Sequence, residues 1–246
     1  MTGRGRTNDT VSYIAPLPSP EPHPPAPPCV LRPLDQADLG FSAELHAAAL
    51  PHGFFVSLGP RFLRAYHRSF VASPFGVGLV AVVDGVPAGF VLGTVDDGQH
   101  YHHLVRRQWW RLLPAALAGM LRHPGVAGRF VRTRLRRYLR GFVRLRRGAP
   151  APAGEARAAP GAAPAGPQGA LTHIAVSADR RTHGVGVALM AGFLDAVRAA
   201  GGRRLRVVTL AGEAGAGPFY ARTGWESAGR FCDAEGTWWE AFTLVL

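Results

Sequence analysis

Leu171-Thr172-His173-Ile174-Ala175-Val176 is an apolar, partly β-branched run long enough for a buried strand, and it leads through Ser177-Ala178-Asp179-Arg180 into Arg181-Thr182-His183-Gly184-Val185-Gly186. The residues that follow are apolar at Val187, Met190, Phe193, Leu194 and Val197, a helical spacing, until Gly201-Gly202 supplies a stop. Strand, glycine turn and helix in that order present consecutive backbone N–H groups and the positive end of a helix to an anion. The expected ligand is therefore an anion.

Spacing narrows the choice. A Walker loop needs Gly-Lys-Ser/Thr, and the chain has no lysine, all 28 of its basic residues being arginine. A dinucleotide fingerprint needs a third glycine where Leu189 stands. Arg181-Thr182-His183-Gly184-Val185-Gly186 instead resembles the acyl-CoA signature of the GNAT superfamily of N-acetyltransferases. A second block, Ala216-Gly217-Pro218-Phe219-Tyr220-Ala221-Arg222-Thr223-Gly224-Trp225, is similar to the second GNAT motif, and it follows at the family's spacing after a strand-like Arg203 to Leu210.

The resemblance, which covers residues 170 to 246, implies a fold, a cofactor and a site. The fold is α/β, a GNAT-like mixed, mostly antiparallel central sheet flanked by helices and splayed at the cofactor strand. Acetyl-CoA is the implied cosubstrate, its pyrophosphate on the backbone amides of Arg181, Thr182, His183, Gly184, Val185 and Gly186, its pantetheine arm along the strand edge at Ile174, Ala175 and Val176. Tyr220 stands at the position whose phenol protonates the departing thiolate. The general base is open. Gln168 and Ala170 occupy the region where many GNAT members carry a Glu, and Glu213 replaces the Asn that commonly begins the second block. His173, with an ordinary pKa of about 6.5, is one candidate base. The cluster His100-Tyr101-His102-His103 or a water chain are others. No metal is expected, since the His cluster does not have metal-ligand spacing.

The expected reaction is acetyl transfer to a primary amine, direct within a ternary complex, because no cysteine falls in the motifs. A small molecule or amino sugar is the first choice of acceptor and a protein N-terminus the second. A different class of reading, a non-catalytic acyl-CoA-binding module, is favoured by the missing Glu and Asn, while Tyr220 and the two glycines favour an enzyme.

Upstream, residues 1 to 28 carry eight prolines from Pro16 to Pro28 and read as a disordered tail, with residues 29 to 246 as the acetyltransferase domain. Val30 to Leu34 reads as a first strand, with helices around Phe41–Leu50 and Gly59–Ala72, the latter with Phe62, Leu63, Tyr66 and Phe70 on one face. Gly78–Val83, Asp84-Gly85 and Val86–Gly93 read as a hairpin. Residues 97 to 147 are then expected as an inserted pair of basic amphipathic helices, followed by an Ala/Pro/Gly linker over 148–169. Leu104 to Arg147 holds 13 arginines and no acid, so with a whole-chain charge of +12 the rest sums to about −1. In the first helix Val105, Trp109, Leu112, Leu113, Ala116, Leu117 and Met120 are placed on one face, with a kink or restart at Pro114. The second stripe runs from Val131 to Leu145.

Three roles compete for this insert: a cap on the domain, contact with an anionic membrane surface through Arg106 to Arg147, and recruitment of an anionic substrate or nucleic acid. Nucleic acid ranks last, as no recognition motif accompanies the charge. With no apolar run of 18 or more residues and no signal-like segment in 1–28, a cytoplasmic protein, peripheral to the membrane at most, is expected.

Overall fold

The computed structural model describes residues 29–51, 53–125, 127–128, 167–212, 215–233 and 235–246. The tail at 1–28, the second basic stripe, the linker up to residue 166 and Glu213 lie outside them. The described elements are β1 (Cys29–Pro33), α1 (Leu39–Ala49), α2 (Phe54–Ser57), α3 (Pro60–Val71), β2 (Gly76–Val83), β3 (Val86–Thr94), α4 (Asp97–His103), a π-type turn (Leu104–Gln108), α5 (Trp109–Arg122), β4 (Gly169–Val176), α6 (Val185–Ala199), β5 (Arg204–Leu210), α7 (Gly217–Arg222), β6 (Glu226–Cys232) and β7 (Trp238–Val245).

The strands form one seven-stranded sheet in the order β1-β2-β3-β4-β5-β7-β6. Every neighbouring pair is antiparallel except β4 and β5. That parallel pair touches only at Gly169↔Leu205 and Ala170↔Arg206, so the sheet splays from Leu171 onward. The architecture is the mixed, mostly antiparallel GNAT-like sheet. Asp84 and Gly85 both take positive φ, 53° and 76°, the geometry of a two-residue hairpin turn whose twist suits the strands it joins.

Two apolar layers flank the sheet. On one side Leu189, Met190, Phe193 and Val197 of α6 pack with Val91 and Leu171, and this layer continues to Tyr220, Trp225 and Phe242. On the other, Phe62, Tyr66 and Phe70 of α3 pack with Leu39, Phe90, Leu92 and Ala175. Alternation along β3 explains the division, since Val91 faces α6 while Phe90 and Leu92 face α1 and α3. Arg32 clamps the entry to α1 by a two-toothed contact with the buried Asp38 carboxylate, at 2.7 and 2.8 Å, and this contact holds the Asp38 carboxyl below its ordinary pKa.

Three expectations change. β4 begins at Gly169, so the linker cannot extend that far; Gly169 and Ala170 are the residues that pair with β5. α5 runs through Pro114 without restarting. The irregularity precedes the helix, in the π-type turn over Leu104–Gln108. The face placed on α5 is also split. Leu112, Ala116 and Met120 pack inward, whereas Trp109, Leu113 and Leu117 point outward. The cause is Gly119, buried against the Leu58 carbonyl, where any Cβ would clash; this close approach fixes which side of the helix faces the domain. On α6, Val187 is exposed for a similar reason of phase, the buried positions being Val185, Leu189, Met190, Phe193 and Val197.

The segment between β3 and β4 leaves and returns at one place. Asp97 N–H donates to Gln168 O (2.9 Å), Ala170 N–H donates to Thr94 Oγ1 (3.1 Å), and Arg206 of β5 holds Asp97 at 2.8 Å. These contacts hold its base next to the point where the sheet opens.

Candidate active site

The loop between β4 and α6 has its backbone set by two left-handed residues, Thr182 at φ 67° and Gly184 at φ 77°. Thr182 Oγ1 and His183 Nδ1–H both donate to Arg181 O, at 2.5 and 2.7 Å, which fixes the turn by its own side chains. The first helical bond is Ala188 N–H to Gly184 O (2.9 Å). Among the described residues no acceptor faces the amides from Thr182 to Val187. Six consecutive unpartnered donors at the positive end of a 15-residue helix are groups to which an anion can bind. Gly186 brings the loop against Val176 and Phe219, within 3.7 to 3.9 Å of where its Cβ would stand, so loop, strand end and α7 meet at one point.

β4 contributes a free edge. Ile174, Ala175 and Val176 pair with Val91, Phe90 and Gly89 of β3. On their other side β5 has already diverged, and no described strand pairs there. An extended chain with amide groups can bond to such an edge as an added strand would.

Tyr220 lies in α7, buried to 4% exposure, edge-on to Phe219 (5.5 Å) and Trp225 (5.8 Å) and tilted against Phe242 (5.7 Å). Burial pushes its phenol pKa well up, so the hydroxyl keeps its proton at neutral pH and is available as a donor.

His173 owes its orientation to a β-bulge. Leu171 pairs with Gly93 but His173 pairs with Leu92, so Thr172 is an extra residue in β4. Strict alternation would put His173 on the face of Leu171, in the α6 layer. The bulge turns it to the other face, onto α1 and α3. There its ring lies 4.3 Å from that of His46 and edge-on to Tyr66 at 5.6 Å. His46 Nδ1 shares a proton with His67 Nε2 at 2.8 Å, and His67 Nδ1 meets Ser42 Oγ at 2.9 Å. His173 Nε2 is fully buried and finds no hydrogen-bond partner among the described residues.

Burial lowers the pKa of all three imidazoles, His46 to about 4, His67 to about 3, and His173 well below its ordinary value, where the neighbouring His46 and His67 add to the effect. All three are neutral at physiological pH, and a neutral ring nitrogen can accept a proton. Sequence reasoning missed His46 and His67. The available signal was positional: His67 shares the apolar face of Leu63, Tyr66 and Phe70, and a polar ring on such a face must find a buried partner.

The structure does not bring every candidate together. No hydrogen bond or ring contact joins His173 to Tyr220 among the described residues; Tyr220 belongs to the α6-side layer and His173 to the opposite one. His100 is stacked on Phe70 at 4.6 Å, with both ring nitrogens buried and unpartnered and its pKa lowered by burial to about 4, so in the cluster at 100–103 His100 belongs to the core while Tyr101, His102 and His103 are partly buried. Among the described residues no group of three His, Cys, Asp or Glu is arranged to hold a metal ion.

Residues 153–246 match the family model described as an acetyltransferase (GNAT) domain. Over those residues the chain is similar to GNAT acetyltransferase domains. Enzymes of this family take their acetyl group from acetyl-CoA. No curated protein matches the chain. The GNAT architecture extends well beyond the matched residues. The ribosomal-protein-alanine N-acetyltransferase of Brucella melitensis superposes with a TM-score of 0.52 at 13% identity, over 88% of this chain and 99% of that one. Ard1 of Thermoplasma volcanium gives 0.51 at 14%, over 89% and 97%. An aminoglycoside 6′-acetyltransferase type Ii gives 0.51 at 12%, over 88% and 96%. At such identities the likeness speaks for the GNAT fold alone.

Proposed function

We propose that the protein is an acetyl-CoA-dependent N-acetyltransferase that moves an acetyl group to a primary amine directly, within a ternary complex. The observation that carries this reading is the continuity of the free β4 edge with six unpartnered amides at the start of α6. One element suits an extended pantetheine arm and the other a pyrophosphate, in the order in which they occur in CoA.

Bound acetyl-CoA supplies an activated thioester. The amides from Thr182 to Val187 hold the pyrophosphate, with the helix end adding roughly 0.3 to 1 kcal/mol. Ile174 to Val176 align the pantetheine. As the amine nitrogen bonds to the acetyl carbon, the carbon–sulfur bond breaks and Tyr220 gives its hydroxyl proton to the departing sulfur. His173 accepts the proton that the nitrogen loses and afterwards passes it to water, which returns one to Tyr220, so that both groups end as they began. His46, seated on His173 and tied to His67 and Ser42, orients dipoles toward the charge that His173 then carries.

The proposed acceptor is a small-molecule amine, amino sugars being the first to try. Rings and small apolar groups surround His173, a lining that suits a compact amine better than an extended peptide. The test is release of CoA thiol over a panel of amines and N-terminal peptides, by the full chain and by Tyr220→Phe and His173→Gln. Turnover with small amines that drops in both variants supports the assignment. Turnover with peptides alone would move the acceptor to a protein N-terminus, and acetyl-CoA binding without turnover on any amine would make this an acyl-CoA-binding module.

The enzyme body is close to neutral, which leaves the basic segment from Arg106 to Arg147 a separate task, contact with an anionic membrane surface. Among the described residues no helix is long and apolar enough to cross a membrane, so the contact proposed is peripheral.

A further inference from the structure

α5 has two apolar sides, and only one of them is used by the fold. Leu112, Ala115, Ala116 and Met120 pack against the α3 layer. On the outward side Trp109 is 51% exposed, Trp110 53%, Leu113 47%, Leu117 50% and Leu121 85%. Five large apolar side chains in a helical stripe are far more than single scattered surface residues. The helix carries Arg106 and Arg107 just ahead of it, Arg111 and Arg122 within it, and no acidic residue.

Beside α5 lies an open cavity of about 440 Å³ between α1, α3 and α5, walled by Gln36, Arg64, Arg68 and Arg111. Among the described residues Arg68 and Arg111 have no carboxylate partner, and Arg64 has only a solvent-exposed contact with Glu44 at 3.4 Å. The Arg111 guanidinium also lies over the Trp110 ring, 4.5 Å from its centroid. The cavity and the apolar stripe therefore meet at one cation–π pair.

We infer that this is a lipid-docking site: the outward side of α5 lies in the interface of an anionic bilayer, and the phosphodiester of one headgroup enters the cavity between Arg64, Arg68 and Arg111. The inference rests on the membrane reading of the basic segment and gives that reading a place and a ligand. Tryptophans at headgroup depth, leucines toward the acyl chains and arginines at the margin are the arrangement that such a surface selects. Charge complementarity selects the anionic bilayer over a second copy of the chain, which would set these arginines against their own kind.

The test is sedimentation of the full chain with vesicles of phosphatidylcholine alone and with phosphatidylglycerol added, following tryptophan fluorescence in the same samples. Leu113→Glu/Leu117→Glu alters the stripe and Arg68→Gln/Arg111→Gln the cavity; all four side chains are surface groups, and a thermal melt checks that each variant folds. The parent should bind only the anionic vesicles, with a blue shift of emission. The stripe variant should bind at least roughly tenfold more weakly and lose the blue shift, and the cavity variant should weaken binding by about fivefold per arginine. Added inorganic phosphate should leave binding nearly unchanged if the ligand is a lipid headgroup; release by millimolar phosphate overturns the lipid assignment.

A parent that ignores phosphatidylglycerol overturns the membrane reading and the site together. Anionic binding left intact by both variants overturns the site alone, and moves the contact elsewhere in the basic segment. A dimer dispersed by Leu117→Glu without vesicle binding, or a melting point lowered by it, would mean that a second copy or residues 131–145 cover the stripe, and each overturns the site.

Discussion

The two sides of β4 are built on opposite principles. Toward α6 the strand meets a continuous apolar layer and a loop whose polar groups are backbone amides turned outward. Toward α1 and α3 it meets a buried polar cluster, in which His46, His67 and Ser42 satisfy one another and His173 is left with an unpartnered nitrogen. The first side offers groups every residue possesses, so its sequence requirement is conformational and falls on Gly184. The second depends on side-chain identity at positions distant in the chain, and it depends on staying uncharged. Perturbing charge should therefore damage the second side most, and perturbing backbone the first.

The largest expected effect is acid instability. His46, His67, His100 and His173 have folded-state pKa values below the ordinary 6.5, because burial disfavours their charged form. The unfolded chain therefore binds more protons than the folded one as pH falls below 6.5, and the folded state loses stability there; above 6.5 the contribution is fully present. Each group costs about 1.4 kcal/mol per pH unit in the window between 6.5 and its folded value. Four together cost on the order of 5 kcal/mol per unit, comparable with a domain's whole stability within two units. Denaturant midpoints measured from pH 8 to 5 should fall steeply below 6.5. A flat profile would show that these rings titrate normally and that the cluster is open to water.

Next in size is Tyr220→Phe. The ring keeps its place among Phe219, Trp225 and Phe242, so the variant should fold as the parent does. Loss of a positioned proton donor should lower kcat by roughly a hundredfold or more with little change in KM for acetyl-CoA. An equal drop in binding would mean that the hydroxyl holds the cofactor instead.

Gly184→Glu acts on the other side of the strand. At φ 77° a side chain brings strain of about 1 to 2 kcal/mol, and its carboxylate would face the phosphates that the amides are meant to hold. Open space surrounds the Gly184 Cα, so no packing is lost. Calorimetric affinity for acetyl-CoA should fall by roughly a hundredfold while the acid-stability profile stays that of the parent. A change in the profile instead would couple the two sides that the structure keeps apart.

These effects also mark what the residue order discloses. The strand, glycine loop and helix are one contiguous stretch, Leu171 to Ala199, so local spacing was enough to place these elements and the candidate anion loop, whereas the free edge of β4 depends on where β5 diverges. Tyr220 was placed by its neighbours in a ten-residue block. The histidine cluster draws on α1, α3 and β4, and it exists only because Thr172 is an extra residue in its strand. A bulge leaves no signature in a pattern of alternate residues until the partner strand is known. The two-sided character of α5 was hidden for a similar reason. Which stripe faces inward is decided by Gly119 meeting the Leu58 carbonyl, a contact between segments about sixty residues apart.

The smallest effect separates His100 from the three rings it resembles. It is as buried as they are, yet both its nitrogens are without partners, and its contact is the face of Phe70 at 4.6 Å. One nitrogen is a donor and the other an acceptor, so the core holds two unsatisfied polar atoms that a phenyl ring of similar shape would not carry. His100→Phe should therefore stabilise the protein by about 1 to 2 kcal/mol at pH 8, or raise the melting temperature by roughly 2 to 8 °C. It should also remove one proton from the acid transition, making the stability profile shallower by a quarter while leaving acetyl transfer unchanged. If the variant is instead destabilised at pH 8, His100 has a partner in solution, and the division between a cluster at β4 that is satisfied but for His173 Nε2 and a wholly unsatisfied ring at α4 disappears.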